Sequence, residues 1–403
     1  MKKLKICLIN LMEFKECNKS YGTYQRILHL AQNYEIFLIT KESPLLKKEL
    51  PASSCLIFWL GENKNVYFDR FLFSSFVLLK MIQVYRKHKF DIIYTSTNFS
   101  YFLGLIFKNI FSIKWIVDIY EHPEFQKRSW EAKGKFSLLR ALYYKARIFL
   151  LKCTLKYADL VIAQGTSTKE GLPKRLIENF HVNQNKLLPL PIGVDLAKTL
   201  SLNPGQQSQH NGFRVIYSGY LSRWRGIDNL LVSIAKLKDK ISNLKLILVG
   251  PYKDDDERQY LEKIVKDLCL DGNVDYKGYV PHEISLNLIQ GSDLCVCPFP
   301  KNDVFEQAYS LKIPEYLAMG KAVIATNLEC IRAYIKNEEN GLLINSNDPE
   351  GLASAIFRLY REENLKKKLE RNARKSVLRY DWNKLHVRLD QRIKRLVHRV
   401  SRS

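Results

Sequence analysis

Two short stretches concentrate the residue types that do chemistry. Residues 299–326 read FPKNDVFEQAYSLKIPEYLAMGKAVIAT, which predicts a strand end, a polar loop, a short helix over 311–319 and a second buried strand over 322–325. Pro314 falls in the first helical turn, where its missing N–H costs nothing, and Gly320 stands where a left-handed C-cap is wanted. Such a helix start turns the amides of Ser310, Leu311 and Lys312 outward as an anion site. Lys312 adds a full positive charge, and Glu315, one turn on, offers an acceptor pair for hydroxyls. The second stretch, GYLSRWRGIDNLL over 219–231, sets Arg223 and Arg225 between two glycines just ahead of a helix start, as a diphosphate clamp requires. Phosphate plus ribose is the ligand these residues suit. Plainer readings stand beside this one: strand-loop-helix corners are common in α/β proteins, and arginines on a loop can simply be solvated.

Other clusters carry less. Asp254, Asp255 and Asp256 read as a hydrophilic loop after a strand, as do Glu338 and Glu339, and neither forms a metal triplet. Eight cysteines are scattered, mostly inside apolar runs. Cys295 and Cys297 share a strand face, but no second pair completes a zinc set, so reduced buried thiols are expected. No metal and no cofactor is expected.

The elements that must position the first two stretches alternate. Strands are predicted at 4–11, 34–40, 55–60, 91–95, 114–118 and 159–163, separated by helical segments, with Gly22 in the first strand-to-helix turn. A second series follows at 214–219, 244–250, 273–278, 293–299, 322–325 and 341–344. Between them the Pro-Gly-Gln-Ser run lacks periodicity. The expected fold is α/β, two Rossmann-like parallel-sheet domains facing across a cleft. The expected parts are a first domain over 1–195, a linker over 196–212, a second domain over 213–375 and a basic helix over 376–403 packing back on the first domain. Ligands of such sheets lie beyond the C-terminal strand ends.

Composition bounds the function. With 403 residues, 46% of them apolar, the chain has enough for two cores. No run is long and apolar enough to span a bilayer, and Leu4 to Leu11 reads as a first strand rather than a signal peptide. The net charge of +23 is uneven: residues 1–195 carry 30 Lys and Arg against 16 Asp and Glu, residues 361–403 carry 15 against 5, and the stretch between is balanced at 19 against 20. Segments 67–88 and 136–156 mix aromatics and leucines with Lys and Arg. They suit either an anionic membrane surface or helices packed on a sheet with their lysines at the edge. A cytoplasmic protein, peripheral on the inner membrane face, is the expectation. The basic segments lack a nucleic-acid-binding module.

Taken in order, GYLSRWRGIDNLL, LKLILVGP, VDYKGYVPHEI, the stretch from Gln307 to Glu315 with EYLAMGKAVIAT, and ENGLLI resemble the donor domain of the GT-B glycosyltransferases of family 4, the glycosyl transferases group 1. VDIYEHPE and NKLLPLPIGVD extend the resemblance through the first half. The resemblance implies that Arg225 stands where the family has a phosphate-binding Lys, while the Arg that usually follows the glycine is Tyr220, with Arg223 as its substitute. It places Tyr279 and Val280 in the base-holding loop, and the amides of Ser310, Leu311 and Lys312 on the phosphates. Glu315 matches the second Glu of the Glu-x7-Glu motif, on the ribose; the first is Gln307 here, and Glu306 is one residue too early. In the first domain the resemblance places Gly22 near the diphosphate, with Tyr120 where the active-site His commonly lies and Glu121 and His122 as the next candidates to touch sugar or acceptor.

The implied activity is retaining transfer of a sugar from a nucleotide-diphosphate donor to a glycan or lipid-linked acceptor of surface polysaccharide biosynthesis. Arginines, Lys312 and the helix start replace a metal at the leaving group. Two other readings are weighed: a nucleotide-sugar epimerase on the same fold, and a partner subunit that binds nucleotide sugar without transfer, for which the loss of Glu at 307 and His at 120 speaks.

Overall fold

The computed structural model describes residues 3–10, 22–41, 43–50, 55–60, 68–96, 98–120, 138–201, 211–302, 305–306 and 309–398. The chain divides into two compact units, Met1–Pro191 with His386–Ser403, and Ile192–Leu385.

The first unit is built on β1 (Lys5–Asn10), β2 (Glu35–Lys41), β3 (Cys55–Leu60), β4 (Ile92–Thr95), β5 (Lys114–Ile119), β6 (Leu160–Gln164) and β7 (Leu187–Leu190). They form one sheet in the order β3-β2-β1-β4-β5-β6-β7, every pair parallel. The inner strands β1, β2 and β4 are short apolar runs buried on both faces, as crossover helices demand. The register sets Ile9 beside Ile39 and Thr95. Helices cover the faces through a core that includes Phe37, Phe107 and Trp115. Gly104, in the helix Asn98–Phe111, is a close-approach position: a Cβ there would lie 2.4 Å from Trp115 Nε1, which donates to Thr95 Oγ1 at 3.0 Å.

The second unit is built on β8 (Arg214–Ser218), β9 (Lys245–Val249), β10 (Val274–Gly278), β11 (Leu294–Cys297), β12 (Ala322–Thr326) and β13 (Leu342–Ile344), again all parallel, in the order β10-β9-β8-β11-β12-β13. Leu196–Ser201, expected within a linker, folds as a helix of this unit. The two-sheet α/β architecture is therefore the one expected, with strand ends displaced by a residue or two and β7 as a seventh strand in the first sheet.

The last helix, Trp382–His398, buries Leu385, Leu389 and Ile393 on one face. From His386 onward it belongs to the first unit. There Asp390 accepts from Tyr34 Oη at 2.9 Å and pairs with His29 Nε2 at 2.9 Å, while Arg388 and Arg392 donate to the carbonyls of Pro189 and Asn185. Among the described residues no helix is long and apolar enough to cross a membrane.

Candidate functional site

In the second sheet the chain order reverses between β8 and β11. In an open parallel sheet this is where ligands bind, outside the C-terminal strand ends. The loops leaving these two strands carry Arg225 and Lys312. Gly219 follows β8 with φ +141°, and a Cβ there would lie 2.4 Å from Lys312 Cε and 2.6 Å from Nζ. Glycine thus leaves the room that the Lys312 ammonium takes. That ammonium lies 5.2 Å from the Tyr217 ring centre and 5.1 Å from that of Phe299. The Arg225 guanidinium lies 5.6 Å from the same Phe299 ring and 5.9 Å from Tyr220, and it bonds the Tyr217 hydroxyl. Two cations therefore converge on one phenyl ring.

This convergence has an electrostatic cost. Desolvation and the neighbouring Arg225 charge lower the Lys312 pKa from 10.5 to about 8, against the opposing pull of Cys297 and Glu315. Burial raises the Cys297 thiol to about 11 despite Lys312, so it stays neutral. An anion bound here would raise the lysine's pKa again and relieve the repulsion.

The helix expected over 311–319 runs Lys312–Ala318, stops at Gly320 with φ +69°, and has its last carbonyls met by Arg374, whose Nε donates to Ala318 O at 3.2 Å. Its start is less open than expected, because Ser310 is buried and its Oγ accepts from the Lys312 amide at 3.3 Å. Glu315 is also engaged. Its Oε1 lies 2.9 Å from His282 Nε2, at the start of the helix His282–Gln290. Burial pushes the His282 imidazole down, but the bond and charge of Glu315 outweigh it and the net shift is upward. Tyr279, before this helix, is 58% exposed, with the partly buried Val280 beside it.

In the first unit, Gly22 is the first residue of the helix Gly22–Asn33, and Arg26 follows one turn on. Arg26 Nε lies 2.8 Å from Asp118 Oδ2 and its Nη2 donates to Tyr120 Oη at 2.6 Å; Tyr120 in turn donates to Asp118 Oδ2 at 2.6 Å. Tyr94 donates to the same Asp118 oxygen, and Tyr101 to its carbonyl at 2.9 Å. Asp118 and Arg26 are buried. Burial raises the Tyr120 phenol, and although Arg26 opposes the shift the net effect leaves it protonated.

Residues 202–376 match the family described as glycosyl transferases group 1. The chain is 26% identical over 392 residues to an uncharacterised glycosyltransferase of Methanocaldococcus jannaschii, covering 92% of this chain and 93% of that one. The chain is a glycosyltransferase that carries a group 1 domain over residues 202–376. Among solved structures, the Anabaena protein HepE in complex with UDP superposes with a TM-score of 0.74 at 18% identity, covering 97% of this chain and all of that one. Sucrose-phosphate synthase from Thermosynechococcus elongatus gives 0.73 at 20% identity, covering 98% and 100%. These likenesses show the fold, which is GT-B.

Of the residues singled out in this glycosyltransferase's sequence, the structure brings Arg225 and Lys312 together, with Ser310 alongside and Glu315 one turn away. Arg223 is directed elsewhere: its Nε and its amide bond the two oxygens of buried Glu257 at 3.0 and 2.8 Å, and its guanidinium lies 4.4 Å from the Tyr260 ring. Glu306 accepts from the Glu329 amide at 2.7 Å, capping the helix Glu329–Arg332. Gln307, Glu121 and His122 lie outside the described residues. Sequence reasoning missed His282 and Arg26. Each sits within a turn of a helix start that follows a strand, and that position was the available signal.

Proposed function

We propose that this glycosyltransferase transfers a sugar, with retention at the anomeric carbon, from a nucleoside-diphosphate donor to a glycan or lipid-linked acceptor of a surface polysaccharide. The observation that carries this is the Arg225–Lys312 pair converging on Phe299 at the C-terminal ends of β8 and β11. In the reaction the bond from the anomeric carbon to the diphosphate oxygen breaks, a bond to the acceptor oxygen forms on the same face, and the acceptor proton is lost. Negative charge grows on the leaving diphosphate, where the two cations stabilise it without a resident metal ion. The UDP in the Anabaena complex supports a nucleotide of this class. In this reading the Tyr279 and Val280 loop receives the base and Glu315 accepts from the ribose.

The membrane surface belongs to the same proposal. On the helix Leu138–Tyr157, Leu142, Tyr143 and Phe149 are exposed among Lys145, Lys152 and Lys156. Apolar side chains ringed by lysines suit an anionic leaflet, on which a lipid-linked acceptor would be presented.

The test is nucleoside-diphosphate release by the purified protein from UDP- and GDP-sugars, with polyprenyl-phosphate glycans as acceptors on anionic vesicles. Release that is lost in Arg225→Ala, with an axial or equatorial product matching the donor anomer by NMR, is the expected result. Tight donor binding with no release against any acceptor would instead identify a non-catalytic subunit.

A further inference from the structure

We propose that His282 is a positioning residue of the donor site: it fixes the Glu315 carboxylate in the orientation from which Glu315 accepts the donor's ribose hydroxyls. This rests on the reading of Glu315 just given.

The two residues come from different strand-helix units, 33 apart in sequence, so no local geometry obliges them to meet. They nevertheless meet at 2.9 Å, Nε2 to Oε1, with 30% and 17% of their side chains exposed. A carboxylate is acceptor-only, so a fixed donor on one oxygen sets the side-chain torsions and aims the remaining lone pairs. His282 itself is seated by the start of its helix, after Pro281. The charged groups facing the imidazole are Glu315 from the helix Lys312–Ala318, Glu283 from its own helix and Lys198 from the helix Leu196–Ser201. Lys198 and Glu283 pair at 3.0 Å and largely offset each other, which leaves Glu315 as the partner that favours a charged ring. A charge-assisted bond is about twice as strong as a neutral one. The raised His282 pKa sets the sign: the grip on Glu315 is strongest below the imidazole titration and weakens as pH rises through it.

The experiment measures UDP and GDP binding to the full-length protein by calorimetry, and donor KM and kcat, for wild type, His282→Ala, His282→Gln, Glu315→Ala and Glu315→Gln. His282→Ala is expected to weaken binding of the preferred nucleotide about tenfold and to raise donor KM, with kcat within about a factor of two. His282→Gln, whose amide N–H can still donate, is expected to recover most of the loss. The ratio of wild-type to His282→Gln affinity is expected to fall as pH rises through the imidazole titration, a comparison in which the nucleotide's own phosphate titration cancels. Wild-type affinity in a folded His282→Ala protein overturns the inference. If that variant does not fold, a pH-independent ratio for His282→Gln overturns it. Should Glu315→Ala and Glu315→Gln both bind nucleotide normally, the reading of Glu315 falls; if they bind weakly while His282→Ala binds normally, only the role of His282 falls.

Discussion

Lys312 occupies the space that a side chain at Gly219 would fill, with its Nζ 2.6 Å from where a Cβ would stand. This couples the loop after β8 to the helix start after β11. Gly219→Ala would collide with the lysine and would also hold alanine at φ +141°, a region L-residues rarely adopt. The expected outcome is a loss of about 1–3 kcal/mol of stability together with weakened nucleotide binding, read by thermal unfolding and calorimetry. A variant with wild-type melting and affinity would show that the loop yields without cost.

Lys312 also predicts a pH dependence. Its folded pKa of about 8 lies below the ordinary 10.5, so the folded protein binds fewer protons than the unfolded chain between those values, and stability rises with pH there. Anion binding runs the other way, because only the charged lysine attracts a diphosphate. Nucleotide affinity should hold up to about pH 7.5 and then decline, well above the phosphate titration near about 6. Near pH 8 binding should take up a proton, visible as a calorimetric enthalpy that varies with buffer ionisation. Lys312→Met should abolish both signatures and weaken binding at every pH, whereas Lys312→Arg should abolish both while keeping binding tight, since guanidinium stays charged. An unchanged decline in Lys312→Met would assign it to another group.

Tyr120 and Asp118 separate a holding role from a catalytic one. Removing the Asp118 charge leaves buried Arg26 unpaired, so Asp118→Asn should destabilise the first unit by about 3–5 kcal/mol in urea unfolding. Tyr120→Phe removes one hydroxyl from the same network and should cost about 1–2 kcal/mol. With the hydroxyl engaged by Arg26 and Asp118 and its phenol held protonated, turnover in Tyr120→Phe should fall less than about tenfold. A fall of about a thousandfold at unchanged stability would make Tyr120 a participant in the chemistry.

These residues also mark how far the sequence was legible. Most of the strands were readable because they are short apolar runs closed by Gly, Pro or a polar loop, and their order carries the two-sheet fold with it. Arg225 and Lys312 were readable from their place after strands at a helix start. Arg223 was not distinguishable from Arg225, since both flank Trp224 between the same glycines. The structure separates them because Arg223–Arg225 is a 3-10 turn, in which residues two apart point about a third of a turn away from each other. One arginine then meets Phe299 and the other Glu257. His282 with Glu315 and Arg26 with Asp118 escaped for a different reason: the partners are 33 and 92 residues apart, and sequence spacing does not report tertiary contacts between separate strand-helix units.

The last helix adds an acid-sensitive element to the first unit. His386 stacks on His29 with ring centres 4.2 Å apart, and burial, helped by the charges of His29 and Arg26, lowers its pKa from 6.5 to about 3 in spite of Asp390. The folded state keeps this ring neutral while the unfolded chain protonates it, so stability is lost as pH falls below about 6.5 and continues to be lost down to about 3. Asp390, held below the ordinary carboxylate range by His29 and Tyr34 although burial opposes it, contributes stability that is lost only at the lower end of this window. At pH 5 the His386 contribution amounts to about 2 kcal/mol. Urea unfolding at pH 7 and pH 5 should therefore show wild type losing more stability than His386→Leu by about that amount. Equal losses in the two proteins would place the acid sensitivity in other groups, with Asp390→Asn the next variant to compare.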